Sequence, residues 1–152
     1  MKTKPLKIFL ADLAHINNHV DSGYVMPLSI GLVASYAINK FGSDVEVRLF
    51  KYPEKLFQAL QEDHCDILGC SSYVWNSNLS HWACRVAKKK NPNVLTCQGG
   101  PDFPLFYDQK LSYLKKHDYL DIRVLYEGEI AFSKILQLML EKKDRNAILF
   151  DK

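Results

Sequence analysis

Three short clusters carry the chemistry this chain could perform: Ser71-Ser72-Tyr73, Gly99-Gly100-Pro101 and Glu127-Gly128-Glu129. Paired glycines remove two Cβ atoms where a backbone leaves a sheet, so either the chain turns with φ > 0 or something flat approaches bare peptide. The run Val94-Leu95-Thr96-Cys97-Gln98-Gly99-Gly100-Pro101 therefore reads as a buried strand that stops at a ligand-facing turn. Asp66-Ile67-Leu68-Gly69-Cys70-Ser71-Ser72 ends the same way, on small residues. Glu127 and Glu129 stand where a helix should open, and there carboxylates favour the positive end of the macrodipole. Parallel strands that both empty onto small residues leave a crevice at their carboxyl ends, where open α/β sheets take ligands.

The elements that must position these clusters follow from periodicity. Lys7 to Asp12 is a strand with an apolar centre, followed by a long polar connection from Leu13 to Met26. Pro27 suits the first turn of a helix that runs from Leu28 to Phe41, is apolar nearly all round, and is stopped by Gly42. Such a helix should be largely buried. Val45 to Phe50 alternates β-branched and charged residues, as a strand near a sheet edge does, and Pro53 to Asp63 is a short helix with Leu56, Phe57 and Leu60 inward. After the strand at Asp66 to Ser71, the helix from Ser77 to Lys90 repeats apolar residues at Leu79, Trp82, Ala83, Val86 and Ala87. The glycine-ended strand comes next, then an aromatic loop (Phe103, Pro104, Phe106, Tyr107) and a short helix near Leu111 to Lys116. Ile122 to Tyr126 is a fifth strand, and a last helix opens at Gly128 or Glu129 and carries Ile130, Phe132, Ile135, Leu136, Met139 and Leu140. Strands separated by helices run parallel, so the expected fold is α/β: a doubly wound, five-stranded, mainly parallel sheet of Rossmann-like or flavodoxin-like type.

Bulk composition sets the remaining bounds. With 152 residues and 47% hydrophobic residues, one domain spanning 1–152 is expected. A net charge of +3 is mild, and Lys88-Lys89-Lys90 and Lys142-Lys143 fall where helices end, where cations oppose the macrodipole, so no nucleic-acid partner is expected. Cys65, Cys70, Cys84 and Cys97 form no metal-ligand spacing and read as packing thiols, which implies a reducing, cytoplasmic setting. No apolar stretch is long enough to span a membrane, and Met1 to Leu6 lacks a signal-peptide core.

The common occupants of such a crevice can be tested at their own signature positions. A dinucleotide fingerprint belongs directly after the first strand, where this chain reads Asp12-Leu13-Ala14-His15-Ile16-Asn17; a flavin-phosphate loop is missing from the same place. A receiver domain needs an aspartate where Ser71 and Ser72 stand. A small nucleotide or sugar enzyme fares no better, since no nucleophile, base and orienting group come together. What remains is Pro27-Leu28-Ser29-Ile30-Gly31-Leu32, Asp66 to Ser71 followed by Tyr73, Trp75 and Asn76, then Gly99-Gly100-Pro101, and Asp121 leading to Glu127-Gly128-Glu129. This ordered set resembles the N-terminal cobalamin-binding domain of cobalamin-dependent radical S-adenosylmethionine enzymes.

The resemblance implies that cobalamin is held at the carboxyl ends of the strands by Ser71, Ser72, Tyr73, Gly99, Gly100, Pro101, Glu127 and Gly128. Gly99 and Gly100 would let the nucleotide tail pass, the serine hydroxyls would bond the tail or its phosphate, and Glu127-Gly128-Glu129 would lie near the corrin edge. Tyr73 and Trp75 could pack on the corrin or serve the core or a subunit contact, and a homodimer is compatible with them. His15 does not complete the Asp-x-His-x-x-Gly pattern that supplies a lower cobalt ligand, so base-off cobalamin without a protein histidine is expected. His15 and His19 read as loop residues, and His64, His81 and His117 receive no role. The family's catalytic half binds a [4Fe-4S] cluster and S-adenosylmethionine through Cys-x-x-x-Cys-x-x-Cys, a spacing the four cysteines here cannot supply. The chain is thus expected to be a cofactor module without the radical barrel, not catalytic alone, with a radical S-adenosylmethionine domain as its partner. The alternative is a degenerate Rossmann-like interaction domain that holds no cofactor and docks another chain through Phe103, Phe106 and Tyr107.

Overall fold

The computed structural model of the chain describes residues 4–14, 16–17, 20–21, 26–142 and 146. β1 (Leu6–Ala11), β5 (Ile67–Ser71) and β6 (Leu95–Gly99) form the interior of a five-stranded parallel sheet, with β4 (Val45–Phe50) and β7 (Ile122–Arg123) at its edges in the order β4-β1-β5-β6-β7. The expected α/β architecture is the one observed, and the charged alternation of β4 does sit on an edge. Between β1 and the first helix, β2 (Ile16–Asn17) and β3 (Val20–Asp21) pair antiparallel where a plain connection was expected. His15 and His19 lie outside the described residues.

Alternation in the central strands divides the core in two. Ile8, Leu10, Ile67, Leu95 and Cys97 face α1 (Leu28–Phe41) and α5 (Gly128–Lys142). Phe9, Ala11, Leu68 and Cys70 face α2 (Pro53–Glu62) and α3 (Ser77–Lys90), with Tyr113 and Leu114 of α4 (Tyr107–Lys116) packed at that layer's border. Among the described residues no helix is long and apolar enough to cross a membrane.

Several local expectations are corrected. α1 buries only Ile30, Ala34 and Ala37, while Leu28, Leu32, Tyr36 and Ile38 are exposed, because one helix layer covers each sheet face and none covers the helix in turn. Pro27 is its N-cap, one position outside the helix, and its carbonyl accepts from Gly31 N–H at 3.1 Å. In α2 Leu56 and Leu60 turn inward as expected, joined by Ala59, whereas Phe57 is exposed and stacks on Trp82 at 6.1 Å. α3 turns Ser80, His81 and Cys84 inward with Ala83 and Ala87, and leaves Leu79, Trp82 and Val86 at the border. α4 opens at Tyr107, before Leu111. β7 stops at Arg123 short of Tyr126, since β6 turns away at Gly100 (φ +116°) and leaves Leu125 and Tyr126 no strand to pair with.

Candidate functional site

The sheet register sets Leu10, Gly69 and Cys97 side by side on the α1/α5 face, at the carboxyl end of the three inner strands. Above them α1 and α5 leave a crevice of about 370 Å³, within the range of small-molecule sites. Its floor and walls are apolar: Leu10, Ile30, Val33, Cys97, Val124 and Phe132. Ser29, Ser71, Tyr73, Glu127 and Glu129 add polar atoms, and among the described residues no lysine, arginine or histidine lines it. Gly128 lets α5 begin hard against α1, since a Cβ there would lie 3.0 Å from Val33 Cγ2.

Six of the eight residues singled out from sequence meet at this crevice: Ser71, Tyr73, Gly99, Gly100, Glu127 and Gly128. The two glycines differ in kind. A Cβ on Gly99 would find only Val124 Cβ, at an ordinary 3.8 Å, so the missing side chain leaves usable space. A Cβ on Gly100 would lie 2.5 Å from the carbonyl oxygen of Ser72, so this glycine serves a close backbone crossing as well as a positive-φ turn. Ser72 and Pro101 fall outside the lining. Ser72 is fully buried, with a hydroxyl that has no hydrogen-bond partner among the described residues, and Pro101 borders a separate hollow with Val74, Asp102, Phe103, Pro104 and Tyr113.

Ser71 is already committed. Its hydroxyl donates to Asp12 Oδ1 at 2.5 Å and accepts from Asn76 Nδ2 at 3.3 Å, which leaves one acceptor lone pair and no proton to offer. Asn76 also donates to Asp12 Oδ1 at 3.0 Å and accepts the Tyr73 N–H at 2.8 Å, so one polar network joins the end of β1 to the start of α3. This seats Tyr73 against Trp75, with ring centroids 4.7 Å apart and planes 5° apart, and leaves Trp75 exposed. On the far side of β6, Arg123 donates to Gln98 Oε1 (3.2 Å) and to the carbonyls of Gly100 (2.7 Å) and Asp102 (3.0 Å), tying down the loop. Burial holds the Arg123 guanidinium below its usual range.

Residues given no role from sequence also line the crevice: Ser29, Ile30 and Leu32 of the run from Pro27 to Leu32, Val33 next to them, and Tyr126 beside α5. The signals available for α1 were that run and its surplus of apolar residues, more than one buried face needs. The four cysteines are free and buried. Burial pushes the Cys65 thiol up to about 12 and raises Cys97 too, while a hydrogen bond with Cys84, then burial, raises Cys70, so these thiols stay protonated at neutral pH. Among the described residues no three His, Cys, Asp or Glu side chains gather as a metal site would require. His64, His81 and His117 stand away from the crevice lining.

Over 123 residues the chain is 32% identical to the cobalamin-dependent radical SAM methyltransferase TokK of Streptomyces tokunonensis, a match covering 76% of this chain and 17% of that protein. It is 33% identical over 119 residues to the 2-(S-pantetheinyl)-carbapenam-3-carboxylate methyltransferase of Streptantibioticus cattleyicolor, covering 73% of this chain and 16% of that protein. The chain thus spans about one sixth of the length of these curated relatives. No family model matches it.

Proposed function

We propose that this chain is a cobalamin-binding module, with the nucleotide tail of the cofactor in the crevice between α1 and α5 and the corrin across the strand ends. The observation that carries the reading is the apolar slot opening beside Gly99, lined by most of the residues the motifs single out. Similarity to a cobalamin-dependent methyltransferase over three quarters of the chain supports it. The donor set suits the group: an apolar floor accepts a flat aromatic base, while the Glu127 and Glu129 carboxylates and the free lone pair of Ser71 accept from amide N–H groups such as those on the corrin rim. Ser71 has no proton for a phosphate and no cation among the described residues lines the slot, so the tail phosphate is placed at the solvent edge. The base-off form without a protein histidine is the state proposed, and among the described residues His64, His81 and His117 stand away from the crevice. When bound, cobalamin supplies a cobalt centre able to carry a methyl group. The chain's own residues bind and orient: Asp12 and Asn76 hold Ser71 in place, and Arg123 fixes the loop that shapes one wall. A radical S-adenosylmethionine domain, with its [4Fe-4S] cluster, is the proposed catalytic partner.

A second reading, a docking surface, is favoured by Leu105, Phe106 and Tyr107, which are all largely exposed. Phe103 is excluded from that surface, because it lies half-buried under Arg123 (4.8 Å) and against Tyr113 (5.1 Å). Titration with hydroxocobalamin followed by visible absorbance separates the two. A saturable change at one equivalent, lost in Gly99→Leu with the circular dichroism of the parent retained, is the expected result. No spectral change in the parent chain sinks the cofactor reading.

A further inference from the structure

Tyr126 is the one non-glycine residue with positive φ among the described residues, at +60°. Left-handed backbone is strained for any residue with a Cβ, and such strain concentrates at ligand clamps and switch regions. No contact among the described residues repays it. The side chain is 91% exposed, stacks on no other ring among the described residues, and follows a strand that ended three residues earlier. Yet Tyr126 lines the crevice, immediately before Glu127 and Gly128. A glycine at 126 would relieve the backbone, so a tyrosine there is explained by what its ring can cover.

We propose that Tyr126 is the aromatic lid of the crevice, its ring stacking on the flat ring system of a ligand seated between α1 and α5. The proposal rests on the reading of this crevice as a cofactor slot and narrows what it takes. Glu127 and Glu129 stand beside Tyr126 and no lysine, arginine or histidine among the described residues lines the slot, so the stacked group is a neutral or cationic heteroaromatic ring, which the two carboxylates favour over an anionic one. Aromatic stacking also holds the ligand without a directed hydrogen bond, which suits an apolar slot.

The test uses two probes, hydroxocobalamin and free 5,6-dimethylbenzimidazole, with the parent chain and the variants Tyr126→Phe, Tyr126→Ala and Tyr126→Gly. Phenylalanine should bind within about twofold of the parent, whereas alanine and glycine should weaken binding roughly three- to tenfold. Without ligand, Tyr126→Gly should melt no lower than the parent, because it loses strain and no packing; a ring with a structural role would lower the melting point. Unchanged affinity in Tyr126→Ala overturns the lid and leaves the cofactor reading standing. Binding of the free base alone, weakened in Tyr126→Ala, keeps the lid and removes cobalamin as the occupant. If neither probe binds the parent, both readings fall, and a clear loss of stability in Tyr126→Gly overturns the lid on its own.

Discussion

Gly100→Ala isolates the backbone crossing on which one wall of the crevice depends. At φ +116° a Cβ is disfavoured before any neighbour is considered, by about 1–3 kcal/mol. The added atom would lie 2.5 Å from Ser72 O and 3.1 Å from Ser72 C and N, and Ser72 cannot simply step back. Its N–H donates to Gly99 O at 2.7 Å, its carbonyl accepts from Asp102 N–H at 3.2 Å, and Gly100 O is held by Arg123 at 2.7 Å. Relieving the overlap breaks part of this set, for which overpacking of about 1–3 kcal/mol is the comparable figure. A loss of roughly 2–6 kcal/mol is expected, against a total stability of about 5–15 kcal/mol for a domain of this kind. In a chain of this length that is roughly a 4–24 °C fall in Tm. Urea unfolding followed by circular dichroism measures it, with Gly99→Ala as the control, since a Cβ there meets nothing closer than 3.8 Å. If Gly100→Ala stays within about 0.5 kcal/mol of the parent, or the control falls equally far, the crossing argument is refuted.

Two further outcomes concern groups outside the crevice. Lys88 Nζ lies 2.5 Å from Asp121 Oδ2, which also accepts from Thr96 N–H at 2.9 Å and is almost fully buried; Lys88→Met should therefore cost about 3–5 kcal/mol, and a loss below about 1 kcal/mol in urea unfolding would show that the ion pair is dispensable. His81 is held down to about 4, first by burial and then by the charges of His117, Arg85 and Arg123. The unfolded chain takes up this proton more readily than the folded one, so stability is full above the ordinary 6.5 and falls as pH drops from 6.5 to about 4. After allowance for solvent screening the change is on the order of 1–2 kcal/mol. Unfolding midpoints measured across that window should flatten in His81→Gln, and an unaltered slope would assign the effect to other groups.

Strand and helix identity were legible because apolar residues recur with period 2 or 3.6 wherever an element has one wet face. That logic misleads where exposure is decided by what lies outside the element. α1 carries enough apolar residues to be buried all round, but no second layer covers it, so its outer face meets solvent and its inner face walls the crevice. In α3 the pattern favoured Trp82, while Ser80 and His81 turn inward because partners across space satisfy them: Ser80 donates to Ser71 O at 2.6 Å, and a His81 ring nitrogen lies 2.6 Å from the Tyr113 hydroxyl.

The glycine pair shows the same division within two residues. Local composition announced a turn at the end of a buried strand, but Gly99 and Gly100 look alike in sequence, and only their neighbours separate the one that opens space from the one that lets two backbones cross. The sequence by itself determined the order of elements, the parallel sheet and the carboxyl-end position of the small-residue clusters, because these follow from short-range periodicity and chain connectivity. The tertiary structure alone decided that Ser71 faces the crevice with its proton committed to Asp12, that Ser72 is shut beneath the loop, and that Tyr126 stands strained at the crevice. Those outcomes depend on contacts between residues distant in sequence, which no local pattern encodes.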